Sequence, residues 1–130
     1  MANKFHFEMI TADGKKTEDE VELLNVVTSS GAIGVMHSHT PLIAILVISH
    51  VRYKKDGKEF FYAISGGIIN VQKDKTTILA DSFESKDEID IERAKKAKER
   101  AEKRLQTTDK DIDYKRAEIA LKKAINRLDL

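Results

Sequence analysis

Cysteine is missing from this 130-residue chain, and proline occurs once. Without cysteine there is no disulfide, no thiol nucleophile and no thiolate metal site, which fits a reducing compartment, with the cytoplasm as the default. No stretch approaches the roughly 18 apolar residues of a membrane span. The longest apolar run, Leu42–Ile48, is only strand-sized, and the start from Met1 to Glu8 lacks the apolar stretch of a signal peptide. Membrane association is therefore expected only indirectly, through a partner protein. Charge of one sign is not in excess either, since the net charge is +1, and whole-molecule attraction to nucleic acid or anionic lipid is not implied. No Gly-x-x-x-x-Gly-Lys-Ser/Thr loop exists, which excludes a P-loop ATPase.

What is scarce is also unevenly placed. All six glycines, the proline and every aromatic residue except Tyr114 precede residue 84, and the remainder is dominated by Lys, Glu, Asp, Arg, Ala and Leu. Charged residues make up 35% of the chain, against about a quarter in an ordinary domain. The change of composition predicts two units, 1–84 and 85–130.

The first unit reads as β-structure. Phe5, Phe7 and Met9 alternate with Lys4, His6 and Glu8 at the period of a half-buried strand. Further strands are predicted over 21–28 and 41–53, the second long enough to bend or change sheets. Asp56-Gly57 between two apolar segments signals a hairpin, because Gly readily takes the positive φ of tight turns. Short strands follow over 60–64, 68–72 and 76–80, with Lys73-Asp74-Lys75 as a turn and Ser65-Gly66-Gly67 as a tight connection. Many short strands in one unit predict an antiparallel β-sandwich or flattened barrel.

The second unit changes period. Ala94, Ala97, Ala101 and Leu105 fall three or four residues apart, and Ala117, Ala120, Leu121, Ala124 and Leu128 repeat the pattern after a polar break at 106–111. Two helices packed as an antiparallel hairpin are expected, so the fold class is α+β. Ser85-Lys86-Asp87-Glu88 has the form of a capping box and predicts that the first helix starts near it. A seam of alanine buries little area and stabilises weakly, which favours a movable hairpin. Alanine seams also let helices approach closely and stay in place, and the stripe alone leaves both readings open.

Other constellations carry little. His37 and His39 form an H-x-H pair with no third ligand suggested nearby, so no metal site is expected. No serine stands in a pattern that supplies a histidine and a carboxylate, so no catalytic residue is expected. Lys95, Lys96, Lys98, Arg100, Lys103 and Arg104 form a basic helix face, but Glu99 and Glu102 interrupt it and stacking aromatics are lacking, which argues against nucleic acid as a partner.

Two segments then point to a family. GAIGVMHSHTPL at 31–42 is similar to a Gly-Glu-Ile-Gly-Ile/Leu-Pro-Gly-His-Ala-Pro-Leu segment, matching at Gly31, Ile33, Gly34, His39, Pro41 and Leu42. SGGIINVQKDKTTILAD at 65–81 resembles a Ser-Gly-Gly-Phe-x-x-Val stretch and its following strand. In this order and spacing the chain resembles, over essentially its full length, the ε subunits of bacterial F-type ATP synthases. Ala32 stands where many members carry glutamate, and His37-Ser38 replaces Pro-Gly, which changes the turn of that loop. The resemblance implies a non-catalytic rotor component of a proton-translocating complex. Its β-domain would hold the gamma subunit and sit on the c-ring through the loop 32–40. Its hairpin, when extended, would reach the alpha/beta catalytic head and restrain hydrolysis. The implied location is peripheral, on the cytoplasmic face of the bacterial cell membrane.

The same resemblance extends to a nucleotide. Ile89-Asp90-Ile91-Glu92-Arg93-Ala94 matches the Ile/Leu-Asp-x-x-Arg-Ala motif of those ε subunits that bind ATP. Asp90 and Arg93 share a helical face with Arg100, and Lys123 and Arg127 share one on the second helix. By resemblance, Ile89 and Asp90 would hold the base end, with Ala94 in the motif, Arg93 and Arg100 the phosphate side, and Lys123 and Arg127 the closing helix, with Glu84 nearby. Lys123 replaces an arginine, keeping the charge and losing the planar fork. ATP would be a regulatory ligand, and no cofactor is required. The competing reading is a protein-interaction module whose charged hairpin is solvated, with pairs such as Glu92–Lys96 and no nucleotide binding.

Overall fold

The computed structural model describes residues 3–107 and 113–130. Its strands are β1 (Phe5–Ile10), β2 (Lys16–Val21), β3 (Leu23–Thr28), β4 (Gly31–Val35), β5 (Leu42–Lys55), β6 (Lys58–Val71), β7 (Lys75–Ala80) and β8 (Phe83–Ser85). A 3-10 turn over Lys86–Glu88 leads to helices α1 (Ile91–Gln106) and α2 (Tyr114–Leu128). The sandwich followed by two helices is the architecture expected from the sequence.

Alternation places β1 as predicted. Phe5, Phe7 and Met9 are buried while His6, Glu8 and Ile10 face outward. The strands run in the order β2-β1-β7-β6-β5-β3-β4, with β8 also on β6. Two layers arise because the long hairpin of β5 and β6 belongs to both. The far half of β6, Gly67–Val71, pairs with β7, and its near half, Tyr62–Ile64, pairs with β8. Their inner faces close on one core that includes Phe7, Met9, Leu24, Val26, Val51, Ile69 and Ile78. The pairing of β1 with β7 is parallel, whereas the other strand pairs are antiparallel.

Several local expectations are revised. The strands expected at 60–64 and 68–72 are one strand, because Gly66 and Gly67, at φ 104° and 155°, bend β6 without ending it. A Cβ on Gly67 would lie 2.2 Å from the Leu79 carbonyl oxygen, so only glycine lets β6 approach β7 there. The segment expected as one strand over 21–28 divides after Val21, where the Glu22 N–H bonds to the Lys54 carbonyl at 2.9 Å. The expected hairpin at Asp56-Gly57 is present, with both residues at positive φ.

The capping box does not start α1. Glu88 accepts from the Ser85 N–H at 3.1 Å on the 3-10 turn. Asp90 caps α1 by accepting from the Arg93 N–H at 3.0 Å, and Asp113 caps α2 in the same way. Asp90 wins because its short carboxylate reaches the N3 amide directly. Ala94, Ala101, Ala117 and Ala124 are buried in the helix–helix seam, as the spacing predicts. The C-terminal end of α2 returns to Glu84, just before α1, so the helices are antiparallel. Residues 108–111 of the expected polar break lie outside the described residues, while Gln106 still belongs to α1.

Candidate functional site

The outer face of α1 carries a groove of about 540 Å³ lined by Asp90, Glu92, Arg93, Lys96, Glu99, Arg100 and Lys103. Arg93, Lys96, Arg100 and Lys103 follow one another at three, four and three residues, a single helical stripe. Four cations against three carboxylates leave this groove slightly positive. The Asp90 carboxylate is committed to the helix N-terminus through its bond from Arg93 N. The groove can accept an anion of several oxygens on the Arg93 and Arg100 guanidinium groups, which offer planar paired donors.

The expected site residues therefore divide. Asp90, Arg93 and Arg100 line the groove. Ala94 points the other way, into the seam, at 3% exposure. Arg127 Nε lies 2.6 Å from Glu84 Oε1, forming a half-buried ion pair that ties α2 to β8. Lys123 and Ile89 are half-buried and stand outside the groove lining. Lys96 and Lys103 were not among the expected residues, although their spacing from Arg93 was available to signal them. The pair expected between Glu92 and Lys96 does not form. The helix pairs among the described residues are Lys98–Glu102 and Glu118–Lys122, each at 3.9 Å.

The hairpin rests on the sandwich through the end of α2. Asn126 Nδ2 donates to the Ser49 carbonyl at 2.9 Å and to the Ile64 carbonyl at 3.3 Å. Its own carbonyl oxygen lies 2.7 Å from His50 Nε2, which places the ring proton on that nitrogen, since a carbonyl can only accept. The Arg127–Glu84 pair stands beside this contact.

Elsewhere on the sandwich, an apolar row crosses four strands. Register aligns Ile45 of β5 with Ile68 of β6, Ile68 with Leu79 of β7, and Leu79 with Ile10 of β1. Ile45 is 63% exposed and Leu79 53%, with Ile43 two residues along at 72%. A contiguous exposed apolar face of this kind is a candidate surface for a binding partner. In the loop after β4, Met36 is exposed and Ser38 takes φ 63°. The rings of the H-x-H pair are engaged locally, His37 Nδ1 with Ser38 Oγ at 3.0 Å and His39 Nδ1 with the Thr40 carbonyl at 2.6 Å.

Comparison with known proteins adds to this geometry. Residues 4–86 match the family described as ATP synthase, Delta/Epsilon chain, beta-sandwich domain, and residues 87–130 match its long alpha-helix domain. The ATP synthase epsilon chain of Bacillus cytotoxicus is 48% identical over 126 residues, covering 97% of this chain and 95% of that one. The one from Halalkalibacterium halodurans is 46% identical over 126 residues, covering 96% and 95%. Among solved structures, a chain of the Euglena gracilis mitochondrial ATP synthase superposes with a TM-score of 0.84 at 24% identity, covering 99% of this chain and 81% of that one. One from the central stalk and c-ring of the Tetrahymena thermophila enzyme gives 0.57 at 12% identity, covering 99% and 94%. These structural likenesses speak to the fold.

Proposed function

The chain belongs to the ATP synthase delta/epsilon chain family, and from that membership we propose that it passes rotation through the central stalk and restrains hydrolysis with its hairpin. It is a non-catalytic subunit. The β-sandwich holds the gamma subunit on the row formed by Ile10, Ile45, Ile68 and Leu79, and rests on the c-ring through 32–40, which was expected as a loop throughout but of which 32–35 belong to β4. Rotation of the ring is thereby carried towards the alpha/beta catalytic head. Support for the first contact is the four-strand apolar row, which the isolated chain leaves open to water. No helix among the described residues is long and apolar enough to cross a membrane, and attachment to the cytoplasmic face runs through the complex.

ATP binds the docked hairpin and favours it, with its phosphates on Arg93 and Arg100. When ATP leaves, the helices undock, extend along gamma and block hydrolysis. The observation that carries this reading is the pairing of a cationic groove on α1 with a small polar contact at the end of α2. A ligand shifts such a balance only through its differential affinity for the two states.

The test is a calorimetric titration of the purified chain with ATP, repeated on Arg93→Ala. Saturable one-to-one binding that the substitution abolishes is the expected result. Absence of binding at millimolar ATP would leave a mechanical subunit whose charged stripe is solvated.

A further inference from the structure

The outer face of β1 and β2 holds a side-chain cluster that neither rotation nor nucleotide binding uses. His6 and Glu8 stand two residues apart on β1 and both face outward, opposite the buried Phe5, Phe7 and Met9. Register sets Glu18 of β2 across from Glu8 and Glu20 across from His6. The imidazole is thereby flanked on both nitrogens, with Nε2 3.1 Å from Glu18 Oε2 and Nδ1 2.7 Å from Glu20 Oε1. One ligand atom each from His6, Glu8 and Glu18 lie within 4.8 Å of one another.

We propose that His6 Nε2, Glu8 and Glu18 form a binding site for a divalent first-row transition metal ion of the zinc class, with Glu20 orienting the histidine. A tetrahedral ion bound at about 2.0–2.2 Å to nitrogen and oxygen separates its ligands by about 3.3–3.6 Å. The distance of 3.1 Å from Nε2 to Glu18 is already close to that edge. Without an ion both ring nitrogens donate to carboxylates, so a metal would take the place of the Nε2 proton while Glu20 keeps accepting from Nδ1; such carboxylate–histidine pairs fix the ring and raise its basicity. An imidazole in the set selects zinc, cobalt or nickel over calcium or magnesium, which prefer oxygen alone. Three protein ligands leave a fourth position for water or a partner's side chain.

Charge favours the same occupant. Lys75 and Lys16 contact Glu8 at 3.2 and 3.4 Å, and Lys16 contacts Glu18 at 3.5 Å. Once an ion displaces the Nε2 proton, Glu8, Glu18 and Glu20 against these two ammonium groups leave one net negative charge around the imidazole. Both lysine side chains are nearly half exposed, so each can swing into water as a dication enters. The ligands themselves come from a paired antiparallel ladder, which fixes their backbone spacing before any ion arrives.

Metal-free full-length chain titrated with zinc chloride in a non-coordinating buffer at neutral pH provides the test. One equivalent should bind in the wild type, His6→Gln should abolish saturable binding, and Glu20→Gln should weaken it about tenfold. A double variant, His37→Asn with His39→Asn, should bind as the wild type does. The proposal is overturned if no saturable binding develops up to millimolar zinc, if His6→Gln binds undiminished, or if the loop variant loses the site. Cobalt substituted for zinc gives a second readout, visible bands of a low-coordinate ion that vanish with His6→Gln. ATP plays no part in this measurement, so its outcome is independent of the nucleotide reading.

Discussion

Asn126→Ala should release the hairpin without loosening the sandwich. The substitution deletes two hydrogen bonds, to the Ser49 carbonyl at 2.9 Å and to the Ile64 carbonyl at 3.3 Å. At about 1 kcal/mol net for a neutral bond, with the longer one counting for less, docking weakens by about 1–2 kcal/mol. That is a factor of about 5–30 in the opening equilibrium. Alanine is a better helix former than asparagine, so the helix itself gains and any loss comes from docking. The assay is native-state hydrogen exchange. Helices of 16 and 15 residues are marginal alone in water, and an undocked hairpin exposes its amides. Exchange in α1 and α2 should accelerate by that factor while amides of Met9, Ile69 and Ile78 in the core stay as they were. Unchanged hairpin exchange, or equal acceleration in the core, would refute the argument that this contact holds the hairpin.

Other changes separate the remaining contacts. Gly67→Ala should lower the unfolding free energy measured in urea by about 3 kcal/mol or more, because its methyl would meet the Leu79 carbonyl at 2.2 Å at a positive φ; a loss under about 1 kcal/mol would show that β6 moves away easily. Leu79→Glu should leave thermal stability within about 0.5 kcal/mol, since the side chain is exposed, yet abolish co-purification with gamma; retained co-purification would remove the apolar row as the docking face. Glu88→Gln tests a pH effect: Lys15 Nζ at 2.7 Å and the Ser85 N–H hold the Glu88 carboxyl below its ordinary value of 4.5. A lowered folded value means stability present above the unfolded value and lost as pH falls through the folded one. Because the pair is half exposed, wild type should exceed the variant by at most about 1 kcal/mol at neutral pH, with the gap closing in acid; a gap that persists below the carboxylate range would contradict this.

Legibility followed the strength of the periodic signal. β1 was readable because its apolar side chains alternate, and the β5–β6 hairpin because Asp56-Gly57 takes a turn that few residue pairs allow. The edge strand β2 reads Lys-Thr-Glu-Asp-Glu before Val21, and no alternation of polarity marks it, since its partner supplies the order. Bending of β6 at Gly66-Gly67 is a tertiary event: the sequence shows two glycines, and only the approach of Leu79 explains why they bend the strand instead of ending it. At the candidate site, Arg93 and Arg100 were legible through helical spacing. Lys123 and Arg127 were expected to join them, but Arg127 turned to Glu84, a residue 43 positions away in sequence. Asn126 gave no signal at all, because its partners lie 77 and 62 positions back and asparagine near a helix end has no period of its own.

The two parts of the chain are held together on different energy scales, and this bears on regulation. The sandwich closes on large side chains such as Phe7, Met9, Leu24 and Ile78 that exclude water entirely, each stabilising by about 1.5–3 kcal/mol. The hairpin closes on alanine and, among the described residues, docks through three hydrogen bonds and one half-exposed ion pair. Counted at about 1 kcal/mol per bond and less than about 1 for the pair, docking amounts to about 3–4 kcal/mol before the helices' freedom is subtracted. A ligand that binds only the docked form contributes about 2.7 kcal/mol at one hundred times its dissociation constant. The two quantities are of one size, so under the proposed reading a nucleotide on α1 would decide the position of α2 and leave the sandwich beneath unperturbed. The alanine stripe joins α1 to α2, so the contact of Asn126, His50, Arg127 and Glu84, rather than the seam, sets the balance that the proposed nucleotide would tip.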